Sequence, residues 1–433
     1  MRVRSEYDRR IIRYAIPALG ALAAEPLYVL VDTAVVGHLG RSQLAALGLA
    51  ATVLSVLAMF NFLQYGTTAQ VARATGAGEN LIAARLGAQC LWLSLAFGSL
   101  VALGIAVLAA PIIDAIGVEG QTAAYAVTYL HIAALGIPSA FLAIGGQGFF
   151  RGVSDLSTPL VIIIVGNIVN LVLELVLVYG FDLGIEGSAW GTVVAQTGMG
   201  IAMAVAILRR VELANAGLRP ELARRLLSLG KFIFIRTTAL LASFFLAGVV
   251  VARLGDAPLA AHQVAFQLWI LLALILDAIA IAGQIIVGQE LGATRPDAAF
   301  AASVRMIGLS IAVGAGFALV FLGLGDVIPR VFTSDPDVLA QCALLWPLFA
   351  LMQPLNGAVF ALDGILIGAS DGAYLAFSMV VAFIVFVIAL AAVSWADWGV
   401  RGVWAALTVL IITRLVLMGA RFRRRQWLVT GFE

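Results

Sequence analysis

The sequence predicts an all-α polytopic membrane protein with twelve transmembrane helices arranged in two pseudo-symmetric six-helix lobes. Of its 433 residues, 62% are hydrophobic and only 12% are charged. Soluble domains carry about 25% charged residues, so this composition excludes an ordinary soluble protein. Two further observations, a series of twelve long apolar segments and an internal repeat, predict the number of helices and their grouping.

The apolar segments are each long enough to cross a bilayer. About 20 apolar residues span the hydrocarbon core, and several segments are longer, which predicts tilted or protruding helices. The predicted spans are 11–36, 44–69, 84–110, 122–150, 157–180, 186–209, 224–253, 259–289, 299–324, 338–369, 373–396 and 400–420.

The basic residues predict the orientation, because cytoplasmic loops carry an excess of Lys and Arg. With twelve spans, twenty of the 26 Lys and Arg residues fall on the side of both termini and four on the opposite side. The excess of Arg over Lys and the Ala-rich composition favour a bacterial source. We therefore predict a multi-pass protein of a bacterial plasma (inner) membrane, with both termini in the cytoplasm.

The two halves of the chain repeat each other. Val36–Ala46 matches Val251–Ala261 at an offset of 215, and Arg151–Asp155 matches Ile367–Asp371 at an offset of 216. Because six segments per half is an even number, the repeats are parallel, and such transporters place substrate sites near the bilayer midplane. The predicted domains are an N-terminal lobe 1–210, a cytoplasmic linker 211–223 and a C-terminal lobe 224–433.

Two carboxylates lie inside the first apolar segment. Glu25 and Asp32 are seven residues apart, close to two helical turns, and so share one face. Pro26 removes a backbone donor between them and offers a bend. An acid at membrane depth is costly and usually marks an ion or proton path. The alternative is that Asp32 is interfacial, or that both acids only hold the helix bundle together.

A second polar face lies on the fifth segment. Asn167, Asn170 and Glu174 follow a spacing of three and then four residues, which places them on one side of a helix. Together with Asp32 they could form an acidic, amide-lined pocket, to which the hydroxyl of Thr192 in the sixth segment is a candidate contributor. The alternative is ordinary interhelical hydrogen bonding, which polar residues in membranes commonly provide.

The second half has its own polar set. The tenth segment carries four residues at helical spacing on one face: Gln353, Asn356, Phe360 and Asp363. Arg236 lies inside the seventh segment, and a buried guanidinium needs an acidic partner. Asp277 in the eighth segment and Asp363 are the available acids, so we predict a charge network of these three residues. The alternative is a purely structural ion pair.

Several motifs spread over nearly the whole chain resemble one family. They are Glu25–Gly40, Val251–Ala261, Gly152–Asp155, Gly368–Asp371 and Gly288–Ala293. Together they are similar to the multidrug and toxic compound extrusion (MATE) family. The pairing of Glu25-Pro26 with Arg236-Thr237 is most similar to its DNA-damage-inducible protein F (DinF) branch. The resemblance implies a V-shaped twelve-helix antiporter that exports amphipathic, often cationic compounds in exchange for protons or sodium ions.

The resemblance also implies roles for individual residues. Asn170 and Glu174 fall where family members carry an Asn and an Asp that join the first-helix Asp in a protonation or sodium site, although the acid here is the longer Glu. In other branches, acids in the eighth and tenth helices form a cation site. Arg236 argues against sodium there, because a fixed positive charge repels a second cation.

The combined prediction is a secondary active antiporter coupled to protons, with sodium as the alternative coupling ion, and not an enzyme. The coupling residues are Asp32, Glu25, Glu174 and Asn170. The substrate-binding residues are Asn167, Tyr28, Thr192, Gln353, Asn356 and Phe360. A lipid or lipid-linked-precursor flippase of related fold remains the other alternative.

The predicted partners are amphipathic small molecules and the lipid bilayer. The net charge of +2 suggests no nucleic acid, and the sequence gives no sign of oligomerisation, so a monomer is predicted. No P-loop or dinucleotide-binding fingerprint is present, so ATP bound within this chain does not drive transport. No cofactor and no metal site are predicted.

Overall fold

A computed structural model describes residues 2–211 and 216–431 of the chain. Within these residues, all regular secondary structure is helical. The helices are α1 (Arg2–Gly37), α2 (Arg41–Leu54), α3 (Phe62–Gly76), α4 (Asn80–Ile116), α5 (Gly120–Gly152), α6 (Ser157–Leu175), α7 (Gly184–Leu208), α8 (Pro220–Ala252), α9 (Asp256–Gly292), α10 (Pro296–Gly323), α11 (Ile328–Phe332), α12 (Pro336–Leu351), α13 (Gln353–Gly368), α14 (Gly372–Trp395) and α15 (Gly399–Arg423).

The predicted fold class is confirmed. Eleven helical stretches of the described residues are long and apolar enough to cross a membrane, and α12 with α13 makes a twelfth as a pair bent by 47°. The predicted segment 338–369 is therefore broken, at Met352. Pro354 explains the position of the break. Its nitrogen carries no hydrogen to donate to the preceding turn, and proline is favoured in the first turn of a new helix.

Two other spans change their helical type along their length. A 3₁₀ segment, Ser55–Asn61, joins α2 to α3, and a π-helical turn, Val176–Gly180, follows α6. Runs of 3₁₀ helix longer than three or four residues are uncommon, and π turns often lie at functional sites. The π turn begins two residues after Glu174, one of the predicted coupling residues.

The chain divides into two compact units. Unit 2 is Gly20–Ser228, and unit 1 combines Met1–Leu19 with Leu229–Glu433. The first part of α1 thus groups with the second half of the chain, which differs from the predicted lobe 1–210. Of the predicted linker 211–223, residues 212–215 lie outside the described part of the chain, and α8 already begins at Pro220.

The first part of α1 groups with unit 1 because its charged side chains find partners there. Asp8 binds Arg305 at 2.6 Å, and Arg10 binds Glu290 at 2.8 Å. The sequence offered no sign of these partners, because each lies roughly 280 to 300 residues away along the chain.

The internal repeat is visible in the backbone. Ser154 and Ser370, 216 residues apart, both have positive φ, at 63° and 60°. In each case the next residue closes the helix end, since Asp155 N donates to Phe150 O and Asp371 N donates to Leu366 O, both at 2.9 Å. Such a left-handed cap with a bond spanning five residues satisfies the last carbonyls of a helix. The two matched motifs therefore build the same turn.

Close helix packing in unit 1 depends on small residues. A methyl group added at Gly364 of α13 would overlap the carbonyl oxygen of Ala280 in α9, and one at Gly357 would overlap that of Ser310 in α10. Small residues at helix interfaces let membrane helices approach closely where lipid supplies no hydrophobic driving force. These contacts fix α13, which carries Asp363, between α9 and α10.

We expect Gly364→Ala to lower the thermal midpoint of the purified protein, because overpacking costs about 1–3 kcal/mol. Gly316→Ala is the matched control, since nothing lies within 4 Å of the methyl group it would add in α10. Thermal unfolding in detergent measures both. Equal midpoints for the two variants would contradict the close packing of α9 on α13.

Candidate functional site

One face of the second part of α1 is bonded to α6, the π turn and α7 within unit 2. The four bonded positions follow a spacing of four, four and three residues, which is one helical face. The contacts are Asn167 Nδ2 to Ala24 O at 3.1 Å, Tyr28 Oη with Thr192 Oγ1 at 2.7 Å, Ser188 Oγ to Asp32 Oδ1 at 2.7 Å and Tyr179 Oη to Val35 O at 2.8 Å. We call this set the α1 stripe.

Two carboxyl groups meet at the centre of the stripe. Asp32 is 6% exposed and Glu174 is fully buried. The Glu174 side chain lies near Asp32 and Ser188, yet neither of its buried oxygens has a hydrogen-bond partner among the described residues. Ionised carboxylates only accept hydrogen bonds. The two acids can therefore bond to each other only when one of them carries a proton.

Two glycines of α7 allow the hydroxyl groups of this helix to lie close to these acids. A Cβ atom at Gly187 would lie 2.8 Å from the carbonyl carbon of Leu177, and one at Gly191 would lie 3.3 Å from the amide nitrogen of Glu174. The residues that follow the glycines, Ser188 and Thr192, are one helical turn apart and so point to the same side. The glycines thus allow the close approach of α6 that places Glu174 beside Ser188.

The amide of Asn170 completes the buried polar group. Asn170 is 2% exposed, and its Nδ2 lies 3.4 Å from Thr192 Oγ1. The structure therefore brings together Asp32, Glu174, Asn170, Thr192 and Tyr28; the sequence grouped the first four of these, with Asn167, and did not place Tyr28 among them. Chemically, the arrangement supplies two carboxyl groups, hydroxyls and an amide around one point, which is suited to holding a proton or a small cation.

Two members of this group were missed in the sequence. Ser188 lies one helical turn before Thr192, so its position on the same face was available as a signal. Tyr129 of α5 is 4% exposed, and its side chain lies near Thr192 and Asp32. Nothing in the sequence separates Tyr129 from the other aromatic residues on apolar helices.

Glu25 stands apart from the buried pair. Its side chain is exposed, and seven residues place it about 10 Å from Asp32 along the helix axis. Pro26 follows it inside α1, which stays helical from Arg2 to Gly37. Since proline cannot donate to the carbonyl one turn before it, α1 lacks the internal hydrogen bond from residue 26 to Leu22 O, beside the exposed acid.

In unit 1, the buried acid Asp363 is paired with basic residues and not with a second acid. Asp363 Oδ2 accepts a hydrogen bond from Arg236 at 2.5 Å and another from Arg414. Arg414 of α15 is only 2% exposed; the sequence places it inside an apolar segment but does not pair it with Asp363, because its spacing shows no relation to α13. Asp277, the third member of the predicted network, is half-buried in α9.

The remaining predicted residues lie on α13. Gln353 and Asn356 are each 1% exposed, and Asn356 Nδ2 donates to Gln353 Oε1 at 3.1 Å. Gln353 Nε2 in turn donates to the backbone oxygen of Phe349 at 2.6 Å. Both amide nitrogens are thus engaged inside the packed unit, whereas the buried Asn356 Oδ1 has no hydrogen-bond partner among the described residues. Phe360 is half-buried, with its ring 6.3 Å from that of Trp269.

Comparison with known proteins agrees with this architecture. The MatE family model matches residues 17–176 and 233–393, one stretch in each half of the chain. Protein DETOXIFICATION 44, chloroplastic, of Arabidopsis thaliana is 33% identical over 94% of this chain and 80% of its own length. DNA damage-inducible protein F of Escherichia coli is 32% identical over 96% of this chain and 92% of its own length.

A solved structure shares the fold. The Vibrio cholerae MATE transporter VcmN in the bent form superposes with a TM-score of 0.89 at 18% identity, covering 99% of this chain and 98% of that one. The family match extends over more than half of the chain, and both relatives cover most of it. The chain is therefore a multi-pass membrane protein that belongs to the MatE family of multidrug and toxic compound extrusion transporters.

Proposed function

We propose that this chain is a secondary active antiporter that exports amphipathic, cationic compounds across a bacterial plasma membrane in exchange for protons. Family membership supplies the transport activity and its class of substrates. The observation that carries the proton coupling is the proximity of two buried acids, Asp32 and Glu174. Both termini are placed in the cytoplasm on the strength of the basic residues alone.

The proposed exchange of proton for substrate follows from the charges of the two acids. Two carboxylates side by side repel each other, and a positive charge between them relieves the repulsion. A proton can supply that charge, and so can the cationic group of a substrate. Only one of the two is needed at a time, so binding of the proton releases the substrate and binding of the substrate releases the proton. Ser188 already donates to Asp32 Oδ1, so it orients one acid while the other is free to exchange.

The neighbouring residues take supporting roles in this proposal. Asn170 and Thr192 position the acids, and Tyr28 ties the same face of α1 to α7 at 2.7 Å. Glu25, which is exposed, serves as an auxiliary acid that attracts cations towards the buried pair. Pro26 provides the place where α1 bends when the charge of the pair changes. Asn167 and Phe360 remain proposed substrate contacts.

Sodium is the second candidate for the coupling ion. The group offers oxygen atoms from two carboxyl groups, an amide and hydroxyls, which are the ligands that hard cations prefer. A sodium ion between Asp32 and Glu174 would relieve the same repulsion as a proton. Proton coupling and sodium coupling therefore predict different efflux results only when the two ion gradients are imposed separately.

The test is efflux of ethidium from proteoliposomes under an imposed pH gradient or an imposed sodium gradient. We expect the pH gradient alone to drive efflux, and Asp32→Asn to lower the initial rate at least tenfold. Glu186→Gln is the matched control, because this acid at the start of α7 is exposed, and it should stay within twofold of wild type. Efflux in Asp32→Asn at the wild-type rate would refute the assignment, and efflux driven only by sodium would support the alternative.

Ser188→Ala removes the hydroxyl that donates to Asp32. Hydrogen bonds to charged groups contribute about 1.5–3 kcal/mol, so we expect at least a tenfold fall in the rate of pH-driven efflux. Ser94→Ala is the control, since Ser94 is an equally buried serine of the same unit whose hydroxyl lies beside Cys90. Equal rates for the two variants would show that Ser188 does not orient Asp32.

Asp363→Asn is expected to act on stability. It removes the carboxylate shared by Arg236 and Arg414, and loss of one partner of a buried ion pair costs about 3–5 kcal/mol. The thermal midpoint in detergent should fall well below that of wild type, whereas Asp32→Asn should leave it nearly unchanged. An unchanged midpoint for Asp363→Asn would contradict a structural role of this ion triad.

A further inference from the structure

We propose that each unit carries an interfacial anchor, a turn whose large exposed apolar side chains lie in the headgroup region of the bilayer and contact phospholipid there. In unit 1 the anchor is residues 395–399, between α14 and α15, and in unit 2 it is residues 181–184, between the π turn and α7. The partner of both turns is membrane lipid, and this role is independent of the transported substrate and of the coupling ion.

The two turns have the same backbone. Asp397 and Gly399 have φ of 50° and 61°, and Asp182 and Gly184, at the repeat offset of 215, have φ of 55° and 56°. Glycine adopts this left-handed conformation at no steric cost, and aspartate is among the few other residues that visit it. The pattern of Asp, one further residue and Gly between two spanning helices therefore builds the same turn in each unit.

The residue between the Asp and the Gly is apolar, exposed and held by its backbone. Trp398 is 64% exposed, and Leu183 is exposed as well. Trp398 N donates to Val393 O at 3.2 Å, and Leu183 N donates to Leu177 O at 3.1 Å. Each of the two residues also stands directly before the first residue of the next spanning helix. Hydrogen bonding therefore fixes an exposed apolar side chain at the end of a membrane span, in place of a loose loop.

The lengths of the preceding spans place both turns at the level of the lipid headgroups. The helical stretches Gly372–Trp395 and Ser157–Gly180 have 24 residues each. At 1.5 Å per residue each stretch is about 36 Å long, and the hydrocarbon core is about 30 Å thick. The ends of both stretches therefore lie at or just beyond the edge of the hydrocarbon. Trp and Tyr are enriched at this level in membrane proteins.

The exposed apolar face of α14 leads directly to the anchor of unit 1. Ile384, Ile388 and Trp395 follow a spacing of four and seven residues, which is one helical face, and all three are exposed, Trp395 to 90%. The exposed apolar face of a spanning helix lies against lipid chains. Trp395 continues this face to the end of the helix, which favours lipid over a second copy of the chain as its partner.

The chemistry of the side chains fits the headgroup region. The rings of Trp395, Trp398 and Phe181 expose apolar surface, whose contact with water is unfavourable. Each indole also carries an N–H group that can only donate a hydrogen bond, and the ester and phosphate oxygens of a phospholipid are acceptors. Phospholipid therefore satisfies both parts of each indole, whereas water would leave the ring exposed and acyl chains would leave the N–H without an acceptor.

Fluorescence quenching tests the anchor of unit 1. Trp395→Tyr and Trp398→Tyr are combined, and the emission that the pair contributes, wild type minus variant, is measured in phosphatidylcholine vesicles. We expect lipid brominated at carbons 6 and 7 of its chains to quench this emission at least twofold. Trp427→Phe calibrates the response of an indole covered by protein, because Trp427 is buried. Quenching of the pair no stronger than that of Trp427 would overturn the proposal. Quenching by aqueous acrylamide alone would then place the turn in water, and protection from both quenchers would show that protein covers it.

Spin labelling tests the anchor of unit 2. The buried cysteines Cys90 and Cys342 are replaced by Ala, and a nitroxide is attached at Leu183→Cys. Glu119→Cys is the matched control, because Glu119 is an exposed acid in the turn between α4 and α5 of the same unit. In phosphatidylcholine vesicles, we expect a water-soluble nickel complex to collide with the label at 183 at least fivefold less often than with the label at 119. Equal collision rates would overturn the proposal, as would dipolar coupling between labels at 183, which would show that a second copy covers the turn.

Discussion

Two neighbouring carboxyl groups buried inside a membrane protein are the constraint on which the rest of unit 2 depends. Burying one ionised carboxylate is costly, and burying two beside each other is worse unless a positive charge joins them. The surrounding residues hold the two acids in place despite this cost. Gly187 and Gly191 bring α6 against α7, Ser188 donates to Asp32, and the α1 stripe holds the acid-bearing helix in register.

The two halves of the chain build similar turns and helices but balance their buried acids differently. In unit 1, the Asp363 carboxylate lies between two guanidinium groups, which cannot lose their charge. In unit 2, Asp32 faces a second acid and a serine. A fixed ion triad favours one arrangement, whereas a pair of acids can change its charge. On our proposal, unit 2 therefore responds to protons and unit 1 supplies a stable frame.

Much of this could be predicted from the sequence, and the limits have a physical cause. Long apolar segments and a nearly constant repeat offset can be read along the chain, so they predicted the fold class and the twelve spans. The three-and-four spacing of Asn167, Asn170 and Glu174 likewise identified the polar face of α6. The contact of Arg414 with Asp363 was missed because it is decided by how α13 and α15 pack. The partners of Asp8 and Arg10 were missed for the same reason, since no local pattern records a contact between distant helices.

The central claim is that Asp32 and Glu174 hold one exchangeable proton between them. Infrared difference spectroscopy of the purified protein tests it directly, by following the band of protonated carboxyl groups as ethidium is added at constant pH. The account predicts that wild type loses this band and releases about one proton per bound ethidium, and that Asp32→Asn and Glu174→Gln do neither. Ethidium binding with no change in the carboxyl band and no released proton would contradict it.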